Sequence, residues 1–510
     1  MPAAIKVFPN TYVDSVVQLR GMRAMRELDG VEWASAAMAT PANVDTVREK
    51  GVDEAQLTGV SSNDLFLVVR GASDHIVERA LAAGESAILS ARSDTEEARQ
   101  QAAPRSLRDA LQAQPQTDVA VVSVPGEYAA LPAYQALSSG LHVLLFSDNV
   151  PLDKEISLKE FALRRGRLLM GPGAGTARLD GVGLGFANVV APGGVGVVAA
   201  AGTGAQEAMV LLDRWAGGVG QVIGVGGRDM SSAVGGRMAQ AAIAALCDDP
   251  ATDVVLLVGK PPAPDVAERV LASATGKPLV AALIGLSTDL AVPPNVVLAD
   301  TLEAGVLATL DVLGITRPDV TRTAGPPIPK ARQRLSSERT LVRGLFSGGT
   351  LCYEALVILS RIVGEVRSNT PINEGWGLPA PDGSHQCLDL GEEEFTKGRP
   401  HPMIDTEARI EHLRQHAQDP NVAAIILDVV LGYGAHPDPA GVLAQDCASV
   451  MATGGPQIVA YVMGSEADPQ GYATQRDRLV ASGCIVTETA ARAALAAAAI
   501  ATNNPSLINR

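Results

Sequence analysis

Two short stretches of small residues are placed where this chain can do chemistry. Gly202-Thr203-Gly204-Ala205-Gln206-Glu207-Ala208 lies over Gly349-Thr350-Leu351-Cys352-Tyr353-Glu354-Ala355, and Gly, Thr, Glu and Ala coincide. Each stretch follows a buried apolar run and opens a helical pattern. Glycine lets a ligand approach the backbone closely. A helix that starts there offers free N–H groups and about half a positive charge. Such a turn is an anion site, and two facing each other would surround one phosphate from both sides. Gly202, Thr203 and Gly204, with Ser347, Gly348, Gly349 and Thr350, are the candidate phosphate- or substrate-binding residues. The competing account is that the threonines cap their helices and the glycines serve packing. Gly171–Thr176 (GPGAGT) is a weaker turn of the same kind.

Further candidates flank these turns. Arg228 follows VIGVGG at a strand end, and Arg399 occupies the matching place in GRPHPMID, which also carries His401. Arginine suits bidentate contacts to carboxylate or phosphate, and a histidine there is a candidate general acid. These three are the candidate catalytic residues. Each arginine is equally explained by pairing with its neighbouring aspartate to brace a loop, and His401 between two prolines by a rigid turn. Lys260, closing a strand in GKPP, is a further substrate-binding candidate or a solvated lysine. Ser384-His385-Gln386-Cys387 and the i, i+4 pair His412/His416 lack the further ligands a metal needs, so no metal site is expected.

Elements of a duplicated domain must position these residues. Gly227-Arg228 meets Gly398-Arg399 and Asp249-Pro250 meets Asp419-Pro420, each pair in the same register ahead of a buried strand. Strand, glycine turn, helix, strand therefore occurs twice. The chain reads as α/β throughout. Residues 1–115 form a small ferredoxin-like α+β unit with a polar helical linker, and 116–190 a Rossmann-like βαβ domain. Residues 191–324 form a first flavodoxin-like domain, 325–340 a Pro-rich linker, and 341–510 the second copy.

Composition agrees. At 510 residues, 47% apolar and 19% charged, the chain is globular and divides into several domains. A net charge of −15 argues against nucleic acid or an anionic membrane as partner. The five cysteines are scattered, which reads as reduced thiols in a cytoplasmic protein, and no signal peptide or membrane span is expected.

The domain arrangement resembles succinyl-CoA synthetase, with GPGAGT and the GTGAQEA helix at corresponding places. More of the chain resembles the FdrA family. PANVDTV, SVPGEYAA, LFSDNV, FANVV, GTGAQE, GVGGRDMSSAVGG, GLFSGGTL, SHQCLDLG, GRPHPMID and LDVVLGYGA occur in its order, from about residue 40 to about residue 470. The synthetase resemblance implies paired helix starts around a phosphohistidine, together with CoA. Here the segment after Lys277–Gly285 holds no histidine, and none occurs between His142 and His385. Val69–Ser73 is a poor substitute for a CoA loop, and no ATP-grasp or Walker motif is visible. The FdrA resemblance implies a subunit of a carbamoyltransferase that converts oxalurate and phosphate to oxamate and carbamoyl phosphate, with no cofactor required. It implies a small anionic substrate and phosphate, additional protein subunits, and a homo- or hetero-oligomer. The alternatives are an NDP-forming acyl-CoA synthetase, which needs CoA and a nucleotide, and a non-catalytic scaffold assembled through the ferredoxin-like unit.

Overall fold

Leu65-Phe66-Leu67-Val68-Val69 is apolar at every position because it becomes a central strand covered on both faces. In the computed structural model this run is β3 (Leu65–Gly71), between β1 (Ala3–Phe8) and β2 (Val31–Met38) in an antiparallel sheet of order β1-β3-β2. The structure describes all residues except 1, 12, 14, 50–58, 98–103, 287–289, 291, 397–399 and 510. Helices α1 (Ser15–Arg26) and α3 (Asp74–Glu97) pack on one face, against Leu65, Leu67 and Val69. This strand order and helix placement are ferredoxin-like. Helix α2 (Pro41–Glu49) departs from that expectation by covering the opposite face, where Val44 and Val47 meet Trp33, Phe66 and Val68. The reason is in β3: both alternating sets are apolar, so both faces need cover. The polar stretch after α3 carries α4 (Leu107–Ala113), capped by Ser106. These residues, 1–114, form one compact unit, and residues 115–396 with 400–510 form the other.

The second unit opens with β4 (Val119–Val122), α5 (Ala130–Ser138), β5 (His142–Leu145), α6 (Leu152–Arg164) and β6 (Leu169–Met170), a parallel Rossmann-like sheet of order β4-β5-β6. The hairpin β7 (Thr176–Leu179) and β8 (Val182–Gly185) falls inside the stretch expected to finish this domain. It pairs instead with the following sheet. Arg178 fixes it there, donating to the Val219 and Gly220 carbonyls at 3.0 and 2.8 Å.

The first copy of the repeat comprises β9 (Val195–Ala199), α7 (Gly202–Ala216), β10 (Val222–Gly224), α8 (Arg237–Asp248), β11 (Val254–Gly259), α9 (Pro264–Ala272), β12 (Leu279–Leu283), β13 (Val296–Ala299) and α10 (Leu302–Val312). Its sheet runs β13-β12-β11-β9-β10-β7-β8. After β14 (Thr323–Ala324) and α11 (Ile328–Gln333), the second copy comprises β15 (Leu341–Phe346), α12 (Gly349–Val363), β16 (Val366–Arg367), β17 (His385–Asp389), α13 (Glu393–Thr396), α14 (Glu407–Ala417), β18 (Val422–Val430), α15 (Pro439–Ala452), β19 (Gln457–Met463), α16 (Tyr472–Ala481), β20 (Ile485–Thr487) and α17 (Ala490–Ala501). Its sheet runs β14-β20-β19-β18-β15-β17-β16. Five strands of each copy, β9 to β13 in the first and β15 with β17 to β20 in the second, are parallel and follow the flavodoxin-like order 2-1-3-4-5. The stretch expected to be a linker, 325–340, is packed structure, with Ile328, Ala331 and Leu335 buried, and β14, just before it in the stretch expected to belong to the first copy, pairs with β20 of the second.

One apolar core runs through both copies, joining α7, α10, α12 and α17. Every residue of α17 is buried, and its alanines let neighbouring helices approach closely. No helix among the described residues is long and apolar enough to cross a membrane.

Candidate anion site at the paired helix starts

In each copy the chain leaves the first strand of the sheet through two residues and enters a helix. Ala200-Ala201 joins β9 to α7, and Ser347-Gly348 joins β15 to α12. β9 lies between β10 and β11, and β15 between β17 and β18, the switch point beyond which ligands bind in such sheets. Ala201 and Gly348 occupy the cap positions in extended conformation, and no side chain caps either helix. Thr203 and Thr350 are therefore not caps but second residues of their helices.

The two starts meet. A Cβ on Gly348 would stand 2.4 Å from Thr203 Cγ2 and 3.0 Å from its Oγ1, and a Cβ on Gly204 would stand 2.9 Å from Thr350 Cγ2. Each threonine thus lies against a glycine of the other copy, and only glycine leaves room for that approach. Thr203 is 5% exposed, and its hydroxyl has no hydrogen-bond partner among the described residues. A buried hydroxyl left this way costs free energy, so the start of α7 has unfilled capacity for a polar ligand.

The second copy adds polar groups that the first lacks. Ser347 replaces Ala200, and its N–H and hydroxyl both donate to Asp428 at the end of β18, the latter at 2.9 Å. Arg409 pairs with Asp428 at 3.1 Å, both fully buried. Asp389 ends β17 where β10 has Gly224. Its Oδ1 accepts from Gly391 N–H at 3.0 Å, and its Oδ2 lies 2.7 Å from the place a Cβ would take on Gly349. Burial pushes Asp389 up to about 7, with Glu392 and Asp428 raising it and Gly391 N–H and Lys260 opposing. Lys260 follows β11 of the first copy and reaches over the Tyr353 ring of α12, 4.9 Å from its centroid. The Cβ direction of Gly391 gathers the remaining groups, passing 2.9 Å from His401 Nε2 and Ser347 O and 3.1 Å from Asp389 Oδ1.

His401 lies beside Phe186, ring centroids 5.9 Å apart, and burial holds its imidazole down to about 4. Met403 N–H donates to its Nδ1 at 3.3 Å, so the ring proton sits on Nε2. A neutral ring in that tautomer donates a hydrogen bond from Nε2; it has no second proton to give as a general acid.

The structure thus brings Gly202, Thr203, Gly204, Ser347, Gly348, Gly349, Thr350, Lys260 and His401 to one region. Arg228 turns away from it. Its Nη2 donates to Val150 O at 2.7 Å and pairs with Glu155 at 2.9 Å, bracing α6 rather than its neighbour Asp229. Asp229 instead accepts from Lys159 Nζ at 2.8 Å and from the Met238 and Ala239 N–H groups at the start of α8. Arg399 lies outside the described residues. Cys387 is buried, its thiol pushed up to about 12, and His385 Nδ1 accepts from Val342 N–H. Among the described residues no group of three His, Cys, Asp or Glu side chains is placed to hold a metal.

Sequence reasoning missed Asp389, Asp428 and the buried pair Glu207/Glu354. The two glutamates were visible as an identity between the repeats. Asp389 was visible only as a break in that identity.

Comparison with known proteins agrees with this architecture. Residues 345–500 match the CoA-ligase family, and residues 1–105 match the family described as AllF, heavy metal-associated domain. The latter segment holds no cysteine, and its one histidine, His75, is exposed, so it offers no thiolate pair to a soft metal. The uncharacterized protein YahF of Escherichia coli is 37% identical over 98% of both chains. The SauD subunit of the ADP-forming sulfoacetate-CoA ligase of Bilophila wadsworthia is 30% identical over 33% of this chain and 59% of its own length. The ADP-forming succinate–CoA ligase subunit alpha of Methanothermobacter thermautotrophicus is 25% identical over 28% of this chain and 48% of its own. The match therefore spans about half of these two ligase subunits. Among solved structures, ATP citrate lyase from Methanothrix soehngenii aligns with TM-score 0.30 and 20% identity over 41% of this chain and 37% of its own. The dinucleotide-forming acetyl-coenzyme A synthetase of Ca. Korarchaeum cryptofilum aligns with TM-score 0.27 and 14% identity over 77% and 84%. The chain belongs to the same family as YahF, a succinyl-CoA synthetase-like family, and carries an AllF-type N-terminal domain and a CoA-ligase domain.

Proposed function

We propose that the facing starts of α7 and α12 bind phosphate and the phosphoryl group of carbamoyl phosphate, and that the chain is an FdrA-like subunit of a carbamoyltransferase. In that reaction a phosphate oxygen attacks the carbamoyl carbon of oxalurate. The bond from that carbon to the oxalurate nitrogen breaks, and the phosphate proton passes to the nitrogen. Oxamate and carbamoyl phosphate result, with no cofactor consumed. The observation that carries the reading is the crossed contact of Thr203 with Gly348 and Thr350 with Gly204. It sets two uncapped helix starts against one another beside a hydroxyl without a partner. Preorganised N–H donors aimed at developing negative charge typically contribute a few kcal/mol each. His401 Nε2–H and Lys260 add a donor and a positive charge at the same place.

The proposal needs no phosphohistidine. His401 is near the turn, but its Nδ1 lone pair is taken by Met403 N–H and its Nε2 carries the proton, so neither nitrogen is free as nucleophile. Incubating the protein, with its candidate partner subunits, with oxalurate and phosphate should yield carbamoyl phosphate. No product in any subunit combination would remove the carbamoyl reading.

A second reading, favoured by the CoA-ligase match and the likeness to SauD, is an acyl-CoA synthetase working through an acyl phosphate. It would draw on CoA and a nucleotide. Thioester formed from acid, CoA and nucleoside triphosphate, or a phosphorylated histidine found by mass spectrometry, would favour it over the first.

A further inference from the structure

We propose that Asp389 makes anion binding at the paired helix starts proton-coupled: the site takes a phosphate-type dianion only when this carboxyl holds its proton, and loses the anion when the proton leaves. The inference rests on the phosphate reading given above and adds to it the residue that regulates occupancy.

Asp389 Oδ2 is aimed at Gly349, the first residue of α12, and accepts no hydrogen bond from the described residues, whereas Oδ1 is held by Gly391 N–H. An ionised Oδ2 would therefore seek the same α12 N–H groups that a bound anion needs, and two negative charges at one helix start repel. A protonated Oδ2 does the opposite and donates to an anion oxygen. The first copy holds Gly224 at the corresponding place, so α7 carries no such competitor. The unpartnered Thr203 hydroxyl, buried against Gly348, marks the same spot as one that needs a ligand.

The groups facing Asp389 decide where its proton is lost. From the end of β11 the Lys260 charge favours ionisation, while Glu392, just beyond β17, and Asp428, on β18, oppose it. Asp428 is already engaged by Ser347 and by Arg409 of α14. On α12 the buried Cys352 thiol stays protonated. His401 is neutral above about 4. Burial dominates this balance and leaves the Asp389 proton exchanging at about 7, where a few tenths of a pH unit change its population. A dianion arriving next to it raises that value further.

Calorimetry on the full chain tests this with sulfate, whose charge is constant near neutrality, and with inorganic phosphate. For sulfate, Kd should rise about tenfold or more between about pH 6.5 and about pH 8.5. Binding at about pH 8, compared in buffers of different ionisation enthalpy, should take up close to one proton, and at about pH 6 almost none. Asp389→Asn, whose fold is checked by its melting temperature, should bind with the acid-limit Kd of the native chain at every pH. Native binding with a flat pH profile and no proton uptake would overturn the proton coupling and leave the phosphate site standing, as would a slope that persists in Asp389→Asn. Failure of the native chain to bind either anion at any pH would overturn both.

Discussion

Glu207 and Glu354, at matched positions of the two copies, each hold a helix start of the other copy. Glu207 Oε1 accepts from Ala490 N–H, the first residue of α17, at 3.2 Å, and Glu354 Oε1 accepts from Leu302 N–H, the first residue of α10, at 2.6 Å. The remaining oxygen of each is buried without a hydrogen-bond partner among the described residues. Burial drives both upward, Glu354 to about 8 and Glu207 well above the usual carboxylate range, with Glu354 reinforcing the effect. Near neutrality both are uncharged acids that fasten one copy to the other.

This fixes a pH dependence. A folded value raised to about 8 from an ordinary 4.5 means that the unfolded chain loses its proton first. The stability that Glu354 contributes is therefore full below about pH 4.5 and declines as pH rises toward about 8, where the folded chain also ionises. Glu354→Gln keeps an acceptor for Leu302 and removes the ionisation, so it should flatten the decline. Glu354→Leu strands the Leu302 N–H and should cost about 1–3 kcal/mol at all pH values. Denaturant midpoints across this range check both, and a difference between Glu354→Gln and the native chain that does not change from about pH 5 to about 8 would contradict the assignment.

Gly348→Ala places a methyl group where Thr203 Cγ2 stands. We expect a loss of about 1–3 kcal/mol in stability and of most anion affinity, because the helix starts must separate. Thr203→Ser removes the clashing carbon and keeps the hydroxyl, so adding it should restore part of both. A double-mutant cycle reads the coupling, and strictly additive effects would show that the two residues do not meet.

Thr203→Val separates a ligand-seeking hydroxyl from a structural one. Its oxygen makes no hydrogen bond to the described residues, so stability without ligand should stay level or rise by up to about 1 kcal/mol. Phosphate affinity should fall about tenfold, the worth of one good donor. A large stability loss with unchanged affinity would assign the hydroxyl to the fold alone.

Lys159, fully buried, pairs with Glu155 at 2.9 Å and Asp229 at 2.8 Å. Lys159→Met removes the buried cation that these two carboxylates share, leaving Asp229 with backbone donors and Glu155 with Arg228 alone, and should cost about 3–5 kcal/mol in thermal unfolding. Arg228→Ala removes a half-exposed partner of Glu155 and should cost at most about 1 kcal/mol, with turnover little changed. Turnover abolished at unchanged stability would return Arg228 to the reaction.

Much of this architecture is legible in the amino-acid sequence. Repeated Gly-Thr turns announce two strand–turn–helix units, and continuous apolar runs such as Val254–Val258 announce parallel strands buried on both faces. The pairing of a short hairpin was not legible. Nothing local in Thr176–Gly185 says which sheet it joins, and the decision falls to Arg178 reaching carbonyls about 40 residues away. Side-chain direction was hidden too. Arg228 sits in a strand-end motif that suits an anion, yet its guanidinium finds Glu155 on a helix far earlier in the chain. Asp389 escaped notice because a search for repeated chemistry passes over the place where one copy is acidic and the other is glycine.

That difference bears on why both copies share one polypeptide. A self-complementary two-fold contact is the geometry of a homodimer, but a homodimer encodes each position once, and any carboxylate introduced on one side of the axis appears on the other. Fusing the halves removes that restriction. The threonines and glutamates that each side needs from its counterpart stay paired, while Asp389 and Gly224 diverge, so a nearly symmetric cradle can present an acid on one side and bare backbone on the other.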